Sequence, residues 1–512
     1  MNISPKQKNI LYPTGLALLA LLVFMYIFDS KIDINGDNCY YFAFASSVAA
    51  GEGYCDMMGE PTSLFPPGYP LLMVPLRLVT DSVVAQKILN LLFLLVATMM
   101  LYFLLLAEEV RRSVAFVACA AVLLTAHVLE FSTMMMSEAS CILFMVLAVF
   151  AYRRLPDGGA IAWRSPWLYL FLFAVPYAFL IRTQAVVLVV AFLLVLLLGR
   201  RFKLALLLFA SFVLCYAPWA VRNSLLELGQ SRYVSQIDFS NIYGNVCMLL
   251  VQALPESVVP FFDVKYALAP TPLLWVIAML MLATVMFGFW RMKKIGLLLA
   301  LLFVGNVGIV SIMNTPSYYR YTVILLPFVT VGMVCGLWGV GCAVSKRLFK
   351  RSFSPLFLLL LFVPSLFYMG DKTKHSIFGL NKISNLNYMP SIANYLKVGR
   401  VLSKQKDARV VLSRKPELLF AHSGVKGKRY KEGTNNVQIV KDLLMDNADY
   451  IILDNLGFKY SYEVLYPFIM EHERLFDIVY VTPEPVNVLF RFKKKEAYEW
   501  LMNGVKIPAE EQ

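Results

Sequence analysis

Charged residues are scarce in this sequence. Only 16% of its 512 residues are Asp, Glu, Lys or Arg, whereas 59% are hydrophobic, and the mean hydropathy is +0.65. Because a soluble globular protein carries about one-quarter charged residues, this composition excludes an ordinary soluble enzyme. Together with the repeated apolar runs, it predicts an α-helical protein that crosses a membrane many times.

Sequence signals for bound cofactors are also lacking. After residue 370 there is no glycine-rich phosphate fingerprint and no His/Cys cluster at metal-binding spacing, so we assign no chemistry to that region. Most of the eight cysteines are scattered through apolar segments, where a thiol acts as a small hydrophobe. Only Cys39 and Cys55 share a polar loop. A disulfide between them stays open if that loop faces an oxidising compartment.

Apolar runs of membrane-spanning length recur along the first 370 residues. A helix needs about 20 apolar residues to cross the hydrocarbon core, and about eleven segments approach this length. The predicted spans are residues 10–29, 82–107, 113–130, 137–152, 166–182, 184–199, 203–220, 271–290, 294–313, 321–345 and 353–370. The first run is too long for a signal peptide and lacks a small-residue cleavage site, so we predict that it is a membrane anchor.

Basic residues concentrate on alternate connections between the predicted spans. Examples are Arg111-Arg112, Arg153-Arg154 and Lys293-Lys294, and the excess of basic residues gives a formal net charge of +14. The positive-inside tendency predicts that these connections and the N-terminus are cytoplasmic. The excess charge is therefore a feature of membrane topology, and we predict no nucleic-acid partner.

The other connections are predicted to be extracytoplasmic, and they contain the candidate site residues. They are the first loop at about residues 30–80, the turn 127–138, the motif Arg182-Thr183-Gln184, the loop 218–270, the segment 314–321 and the C-terminal region. Polar candidates and basic clusters are thus predicted to lie on opposite faces of the membrane.

The composition changes after Gly370, where apolar runs shorten to strand length. Strands are predicted at residues 408–413, 449–454, 476–481 and 486–491. Apolar residues at helical spacing occur at 437–447. Strands alternating with helices predict a soluble extracytoplasmic α/β domain over residues 371–512, following a membrane module over residues 1–370. Two roles for this domain stay open, namely docking or positioning of an acceptor, and a packing cap.

Acidic residues on the extracytoplasmic side are candidates for catalysis, because ionisable groups at a membrane bundle are costly. Asp37 follows Gly36 directly in the loop after the first span and is the first candidate for a catalytic base, with Asp33 as the alternative. The structural alternative for Asp37 is a cap for a helix over residues 38–50, since Asp favours such positions. Glu138 begins a predicted span, where an acidic residue commonly interacts with the helix dipole.

Three arginines are candidates for binding substrate. Arg320 lies among aromatic residues that include Tyr319, and arginine binds phosphate well through two nitrogens. Arg182 ends an apolar span, where a long side chain commonly reaches the interface. Arg222 follows Trp219 closely and serves equally well as an interfacial anchor.

Seven short motifs follow one another within the predicted membrane module, residues 1–370. They are Gly36-Asp37-Asn38-Cys39-Tyr40-Tyr41, Gly51-Glu52-Gly53-Tyr54, Phe65-Pro66-Pro67-Gly68-Tyr69-Pro70, Met136-Ser137-Glu138, Leu180-Ile181-Arg182-Thr183-Gln184, Pro218-Trp219-Ala220-Val221-Arg222-Asn223 and Tyr319-Arg320-Tyr321. This ordered set resembles membrane glycosyltransferases of the GT-C type. Within them it resembles the branch of protein O-mannosyltransferases and aminoarabinose transferases, which is like glycosyltransferase family 39.

The resemblance implies an inverting transfer of a sugar from a polyprenyl-phosphate donor to an acceptor outside the cytoplasm. It implies that Asp37 is the general base on the acceptor hydroxyl. Many relatives carry two adjacent acidic residues, but Asn38 follows Asp37 here, so Asp33 or Glu138 is left as the second carboxylate. The residues expected to bind substrate are Arg320, Arg182, Tyr319, Tyr40, Tyr41 and Arg222.

The resemblance leaves the cofactor and the acceptor open. Some relatives use a divalent metal ion and many do not, and we predict no metal ligand here. The acceptor is a glycan, a lipid or a protein hydroxyl, and the expected location is the bacterial inner membrane, in contact with its lipids. The alternative functions are a secondary transporter or lipid-linked sugar flippase, and a non-catalytic glycan- or lipid-binding membrane subunit.

Overall fold

The protein folds into two compact units. The computed structural model describes residues 5–34, 37–157, 161–228, 236–258, 271–314, 318–349, 353–362, 366, 376–405, 407, 409–433 and 435–504. The first unit comprises the described parts of Met1–Ser30 and Thr62–Asn385, and the second those of Lys31–Pro61 and Leu386–Gln512. The predicted domain boundary at residue 370 lies outside the described residues.

The α-helices of the described residues are numbered in chain order, through both units. They are α1 (Pro5–Ile27), α2 (Asn38–Ala49), α3 (Gly68–Arg77), α4 (Val83–Ala107), α5 (Arg112–Leu123), α6 (Ala126–Ser132), α7 (Glu138–Arg154), α8 (Pro166–Ile181), α9 (Val186–Leu198), α10 (Phe202–Leu225), α11 (Ile242–Cys247), α12 (Leu254–Val258), α13 (Pro272–Trp290), α14 (Gly296–Ser311), α15 (Tyr318–Thr322), α16 (Leu326–Val344), α17 (Ile377–Asn385), α18 (Pro390–Leu402), α19 (Pro416–Ser423), α20 (Asn436–Met445), α21 (Tyr466–Glu471) and α22 (Lys494–Gly504).

Long apolar helices dominate the first unit. Among the described residues, five helices are long and apolar enough to cross a membrane, namely α1, α4, α10, α13 and α16. The predicted span 113–130 is not one straight helix, because α5 and α6 meet at a bend of 60°. Shorter apolar helices occur at Pro166–Ile181, Thr183–Leu198 and Gly296–Ser311. The prediction of a helical membrane protein is confirmed, and the number of eleven spans stays a prediction.

Of the last predicted span, 353–370, the structure describes residues 353–362 and residue 366. Within that part, Pro355–Phe362 is a 3-10 helix and not an α-helix. At eight residues this helix is far shorter than the roughly 20 residues that a span needs. The described residues therefore leave the last span a prediction.

Small residues bring α13 and α16 unusually close together. A Cβ atom added to Gly288 would lie 1.8 Å from the carbonyl oxygen of Gly332, and one added to Gly336 would lie 2.1 Å from that of Thr284. Membrane helices associate through such contacts, because small residues let their backbones approach. Glycine is therefore required at both positions by the packing of the two helices.

Ion pairs join the basic connections at one end of the first unit. Glu108 follows α4 and pairs with Arg153 at the end of α7. Lys293, which follows α13, lies 2.6 Å from Glu109, and Lys294 lies 2.5 Å from Asp157. Three of the connections that were predicted to share one face therefore lie together in the fold.

The second unit contains a five-stranded mixed sheet. Its strands are β1 (Val411–Ser413), β2 (Gly427–Arg429), β3 (Tyr450–Leu453), β4 (Phe476–Val481) and β5 (Val488–Phe492). Their order in the sheet is β2-β1-β3-β5-β4, with β2, β1 and β3 parallel and the other pairs antiparallel. All four predicted strands are present. Strand β2 was not predicted, because its three residues, two of them basic, carry no alternating apolar pattern.

The first half of the first predicted loop, Lys31–Pro61, packs within the second unit. Its helix α2 lies against α19, and the backbone amide of Ile32 donates a hydrogen bond to the Tyr388 hydroxyl at 2.7 Å. Cys39 and Cys55 are both buried free thiols. The disulfide that the sequence left open is therefore not formed.

Candidate active site

Glu138 joins two arginines in the first unit. It is the first residue of α7, and its side chain is completely buried. Its Oε1 atom lies 2.7 Å from Arg182 Nη1 and 2.9 Å from Arg320 Nε. Arg182 also donates a hydrogen bond to Ser137 Oγ at 3.1 Å. Two guanidinium groups and one carboxylate leave a formal excess of one positive charge, which suits an anionic ligand.

A break between two helices places Arg182 in this cluster. Helix α8 ends at Ile181, Arg182 has an extended backbone, and a 3-10 helix follows at Thr183–Ala185. Gln184 donates to the carbonyl oxygen of Tyr321 at 2.7 Å, which ties the break to the segment that carries Arg320. The Gln184 side chain therefore holds the segment that follows Arg182 against the backbone next to Arg320.

Tyr319 is held from two sides next to Arg320. Its hydroxyl donates a short hydrogen bond to Glu256, and its ring stacks on that of His127 at 5.2 Å and 27°. His127 Nδ1 lies 3.7 Å from Glu130 Oε2. His127, Glu130 and Glu256 are buried. They were not among the predicted site residues, although an isolated ionisable residue in an apolar run is a signal of a functional site.

A cavity of about 320 Å³ opens beside Arg182. Arg182, Thr183 and Gln184 contribute polar side chains to its wall. The rest of the wall is mainly apolar and aromatic, formed by Phe179, Val186, Tyr216, Ile237, Ile309, Ile312, Met313 and Tyr321. A cavity with an arginine in a mainly apolar wall suits an amphiphilic molecule with an anionic head.

Arg222 makes different contacts from the other two arginines. Its Nη1 donates to the carbonyl oxygen of Thr62 at 3.1 Å and to Asn223 Oδ1 at 2.8 Å. Its guanidinium lies 5.0 Å from the ring centre of Trp219. These contacts join Arg222 to the first loop and to Trp219, and its role in binding substrate stays a prediction.

The motif at residues 65–70 serves as a packing element. A Cβ atom on Gly68 would lie 2.6 Å from the backbone of Ile181, directly before Arg182. The Tyr69 hydroxyl donates to Asn90 Oδ1 at 3.1 Å, and Asn90 donates to the carbonyl oxygen of Met136 at 2.9 Å. The motif therefore supports the backbone on both sides of the Glu138 cluster.

Asp37, Tyr40 and Tyr41 belong to the second unit. Asp37 occupies the position just before α2 and is half-buried, but its side chain accepts no capping hydrogen bond from that helix. Its carbonyl oxygen accepts from the Tyr41 amide at 3.0 Å. Tyr41 is buried, and Tyr40 is half-buried, with its ring 6.3 Å from that of Phe44. The alternative role of Asp37, in which its side chain caps α2, is therefore not supported by a hydrogen bond to that helix.

Asn38 and Asp33 fix the loop before α2. Asn38 Nδ2 donates to the carbonyl oxygen of Asp33 at 2.8 Å, and its Oδ1 accepts from the Cys39 amide at 2.7 Å. Gly36 lies outside the described residues. In the described part of the chain, no three His, Cys, Asp or Glu side chains are grouped closely enough to hold a metal ion.

Comparison with known proteins gives structural neighbours only. No protein-family model and no curated protein matches this sequence. The fold is similar to that of ArnT from Cupriavidus metallidurans bound to undecaprenyl phosphate, with TM-score 0.58 and 13% identity over 93% of this chain and 97% of that one. It is also similar to the archaeal oligosaccharyltransferase AglB from Archaeoglobus fulgidus in complex with an inhibitory peptide and a dolichol-phosphate, with TM-score 0.56 and 12% identity over 87% and 69%.

Both neighbours are GT-C glycosyltransferases, and both comparisons extend over most of this chain. At 12–13% identity the similarity concerns the fold. Five long apolar helices and a small C-terminal sheet in the described part of the chain agree with it. The chain is an integral membrane protein with the GT-C fold.

Proposed function

We propose that this protein is an inverting glycosyltransferase that moves a sugar from a polyprenyl-phosphate donor to an acceptor hydroxyl outside the cytoplasm. The observation that carries the proposal is the pair of arginines on Glu138, beside a cavity with apolar walls. A sugar linked to a lipid by phosphate needs both features. The fold supports the proposal, because neighbours with this fold were solved with undecaprenyl phosphate and with a dolichol-phosphate.

The arginines act on the leaving group. As the bond between the sugar and the phosphate breaks, negative charge grows on the phosphate oxygens. Arg320, whose side chain is 21% exposed, is the first candidate to bind them, and Arg182, at 4% exposed, is the second. Groups held in place before the reaction stabilise such charge without reorganising. The apolar walls of the cavity beside Arg182 suit the isoprenoid tail.

Glu138 serves best as a positioning residue. Its Oε1 already binds both guanidinium groups, so it fixes their orientation instead of accepting a proton from the acceptor. Tyr319 supports the same segment through Glu256 and His127. The second catalytic carboxylate that the resemblance implies is therefore not assigned to Glu138.

Asp37 is proposed as the general base. Its carboxylate takes the proton of the acceptor hydroxyl while the acceptor oxygen bonds to the anomeric carbon of the sugar. The bond from that carbon to the phosphate oxygen breaks on the opposite face, and polyprenyl phosphate leaves with the bonding electrons. The anomeric centre is inverted in one step. A positioned base contributes about 10²–10⁴-fold to such a rate.

The proposed location follows from the charge pattern. Connections that are rich in Lys and Arg are proposed to lie in the cytoplasm of a bacterium, with the protein in its inner membrane. The loop with Asp37 and the C-terminal domain are then extracytoplasmic. The acceptor is a glycan, a lipid or a protein hydroxyl on that side.

A deletion strain tests the function. We expect mass spectrometry of its envelope glycans, lipids and glycoproteins to show one sugar missing, and the wild-type gene to restore it. Variants Asp37→Asn and Arg320→Gln should express and insert but fail to restore it. An unchanged envelope would overturn the proposal. Movement of intact sugar lipid across liposomes by the purified protein, without any transfer, would instead establish the flippase alternative.

A further inference from the structure

A second cavity, of about 600 Å³, opens in the first unit at the end where the basic connections lie together. Its wall is formed by the start of α1, the turn between α4 and α5, and the segment that begins at residue 353. The lining side chains that matter here are Tyr12, Leu106, Glu109, Arg111, Arg112 and Leu356. The volume is within the range of sites that hold small molecules.

Packing between helices fixes the walls of the second cavity. The ring of Tyr12 lies 5.5 Å from the ring of Phe116, centre to centre, which joins α1 to α5. A Cβ atom added to Gly341 would lie 2.8 Å from the Phe353 ring, so the segment that begins at Phe353 fits closely on α16. The 3-10 helix Pro355–Phe362 also packs on α5. The cavity is therefore bordered by elements that their own contacts hold in place.

Two adjacent arginines make one wall of the second cavity positive. Arg111 directly precedes α5 and Arg112 is its first residue. Neither forms an ion pair with another described residue. The carboxylate of Glu109 is on the same wall, but it binds Lys293 Nζ at 2.6 Å. Two guanidinium groups are therefore left for an anion, and arginine binds phosphate well through two nitrogens.

The second cavity lies at the ends of two membrane-spanning helices. The apolar stretch of α1 begins at Ile10, close to Tyr12, and α4 ends at Ala107, next to Leu106. Tyrosine is enriched at the level of the lipid headgroups. Leu356 on the wall is 57% exposed, so the cavity also has an apolar side that opens outward. A ligand with both a phosphate and apolar chains fits this combination.

We propose that the second cavity binds the headgroup of an anionic phospholipid. Its phosphate binds Arg111 and Arg112, and its acyl chains lie along Leu356. Basic pockets between membrane helices on the cytoplasmic side recognise such headgroups, and the connection with Arg111 and Arg112 is proposed to be cytoplasmic. A free phosphate ion would use the arginines but would leave the apolar side without a role.

This lipid site is distinct from the Glu138 cluster. Glu138 is the first residue of α7, whereas Arg153, near the other end of α7, pairs with Glu108, the neighbour of Glu109. The 17 residues of α7 form a helix about 25 Å long, at 1.5 Å per residue. The two sites are therefore at opposite ends of α7, and the lipid takes no part in the proposed transfer.

Native mass spectrometry of the full-length protein, purified and stripped of lipid in detergent, tests the proposal. We expect the wild type to bind one added phosphatidylglycerol more tightly than phosphatidylcholine, whose choline group cancels the phosphate charge. The double variant Arg111→Gln/Arg112→Gln should bind phosphatidylglycerol about tenfold more weakly, because hydrogen bonds between charged groups are lost. The matched control Arg164→Gln/Lys203→Gln removes the same charge from exposed positions at two other basic connections and should bind like the wild type.

Three results would contradict the proposal. Equal binding of phosphatidylglycerol by the two double variants would mean that Arg111 and Arg112 form no specific site. Equal affinity of the wild type for phosphatidylglycerol and phosphatidylcholine would mean that the anionic charge of the lipid is not recognised. Displacement of phosphatidylglycerol by inorganic phosphate at the same concentration would show a site for soluble phosphate and not for a lipid.

Folding of the variants is measured separately, by thermal unfolding in the same detergent. Arg111 is exposed, so Arg111→Gln alone should fold. If the double variant does not fold, Arg111→Gln and its control Arg164→Gln decide the question in the same assay, with weaker binding expected only in the former. No sugar transfer is measured, so the result is independent of the proposed function.

Discussion

At the scale of single residues, Arg182 and Arg320 contact the same oxygen of Glu138 from different surroundings. Arg182 is 4% exposed and also binds Ser137, whereas Arg320 is 21% exposed. Removing a buried partner leaves an uncompensated charge, at a cost of about 3–5 kcal/mol. Removing a group that acts on developing charge lowers the rate about 10²–10³-fold.

We therefore expect the two arginine variants to fail in different ways. Arg320→Gln should fold, and its transfer rate should fall about 10²-fold or more. Arg182→Gln should lower the melting temperature, because Glu138 stays buried with one cation fewer. Initial rates and thermal unfolding in detergent measure both effects. Arg164→Gln, an exposed arginine on a basic connection, is the control. Equal stability of both variants, with full activity of Arg320→Gln, would contradict the assignment.

A substitution of Tyr319 tests whether its hydrogen bond to Glu256 is needed to hold the neighbouring Arg320 in place. Tyr319→Phe keeps the stack on His127 but removes the hydroxyl that donates to Glu256. Leaving a buried acceptor without its donor lowers the free energy of unfolding by about 1–3 kcal/mol. We expect that loss of stability, with a transfer rate roughly tenfold lower because Arg320 is less well held. Glu256→Gln, which can still accept the hydrogen bond, should have the smaller effect. A larger loss in Glu256→Gln would show that the charge of Glu256 matters and not the anchor.

The residue types at this site could be predicted, and their partners could not. Glu138, Arg182 and Arg320 were named because ionisable groups next to apolar runs are exceptional. That all three share one oxygen depends on contacts between residues as much as 182 positions apart. No local pattern encodes such a contact. Glu256 and His127 carry the same signal of an ionisable residue near apolar runs, but they were not singled out.

At the scale of elements, glycine sets the distance between α13 and α16. Gly288→Val should force the helices apart, because the side chain has no room against the carbonyl oxygen of Gly332. Overpacking costs about 1–3 kcal/mol, and here the obstacle is rigid backbone. Thermal unfolding in detergent measures the loss. Gly308→Val in α14, where nothing lies within 4 Å of an added Cβ, should change little. An equal loss in both variants would count against the role of close packing.

Local sequence patterns predicted the type of most elements. Apolar runs marked the long helices, and alternating apolar residues marked four of the five strands. The bend between α5 and α6 was not predicted, because both segments are apolar and the composition does not change at the break. Strand β2 was missed because Gly427–Arg429 is short and basic.

At the scale of the whole molecule, the sequence placed the first loop with the membrane module. In the structure, Lys31–Pro61 packs instead with residues near the C-terminus. The pairing of α2 with α19 joins segments nearly 380 positions apart, and sequence distance gives no hint of it. The loop that carries the proposed base and the C-terminal sheet therefore belong to one unit.

The central claim is that Asp37 accepts the proton of the acceptor, and the Asp37→Asn variant tests it most directly. Asparagine keeps the size of the side chain but cannot take a proton at neutral pH. The measurement compares the rate of sugar transfer by purified wild type and Asp37→Asn, with binding of undecaprenyl phosphate as the control for folding. We predict a rate at least 10²-fold lower with unchanged binding. Transfer at the wild-type rate would contradict the account.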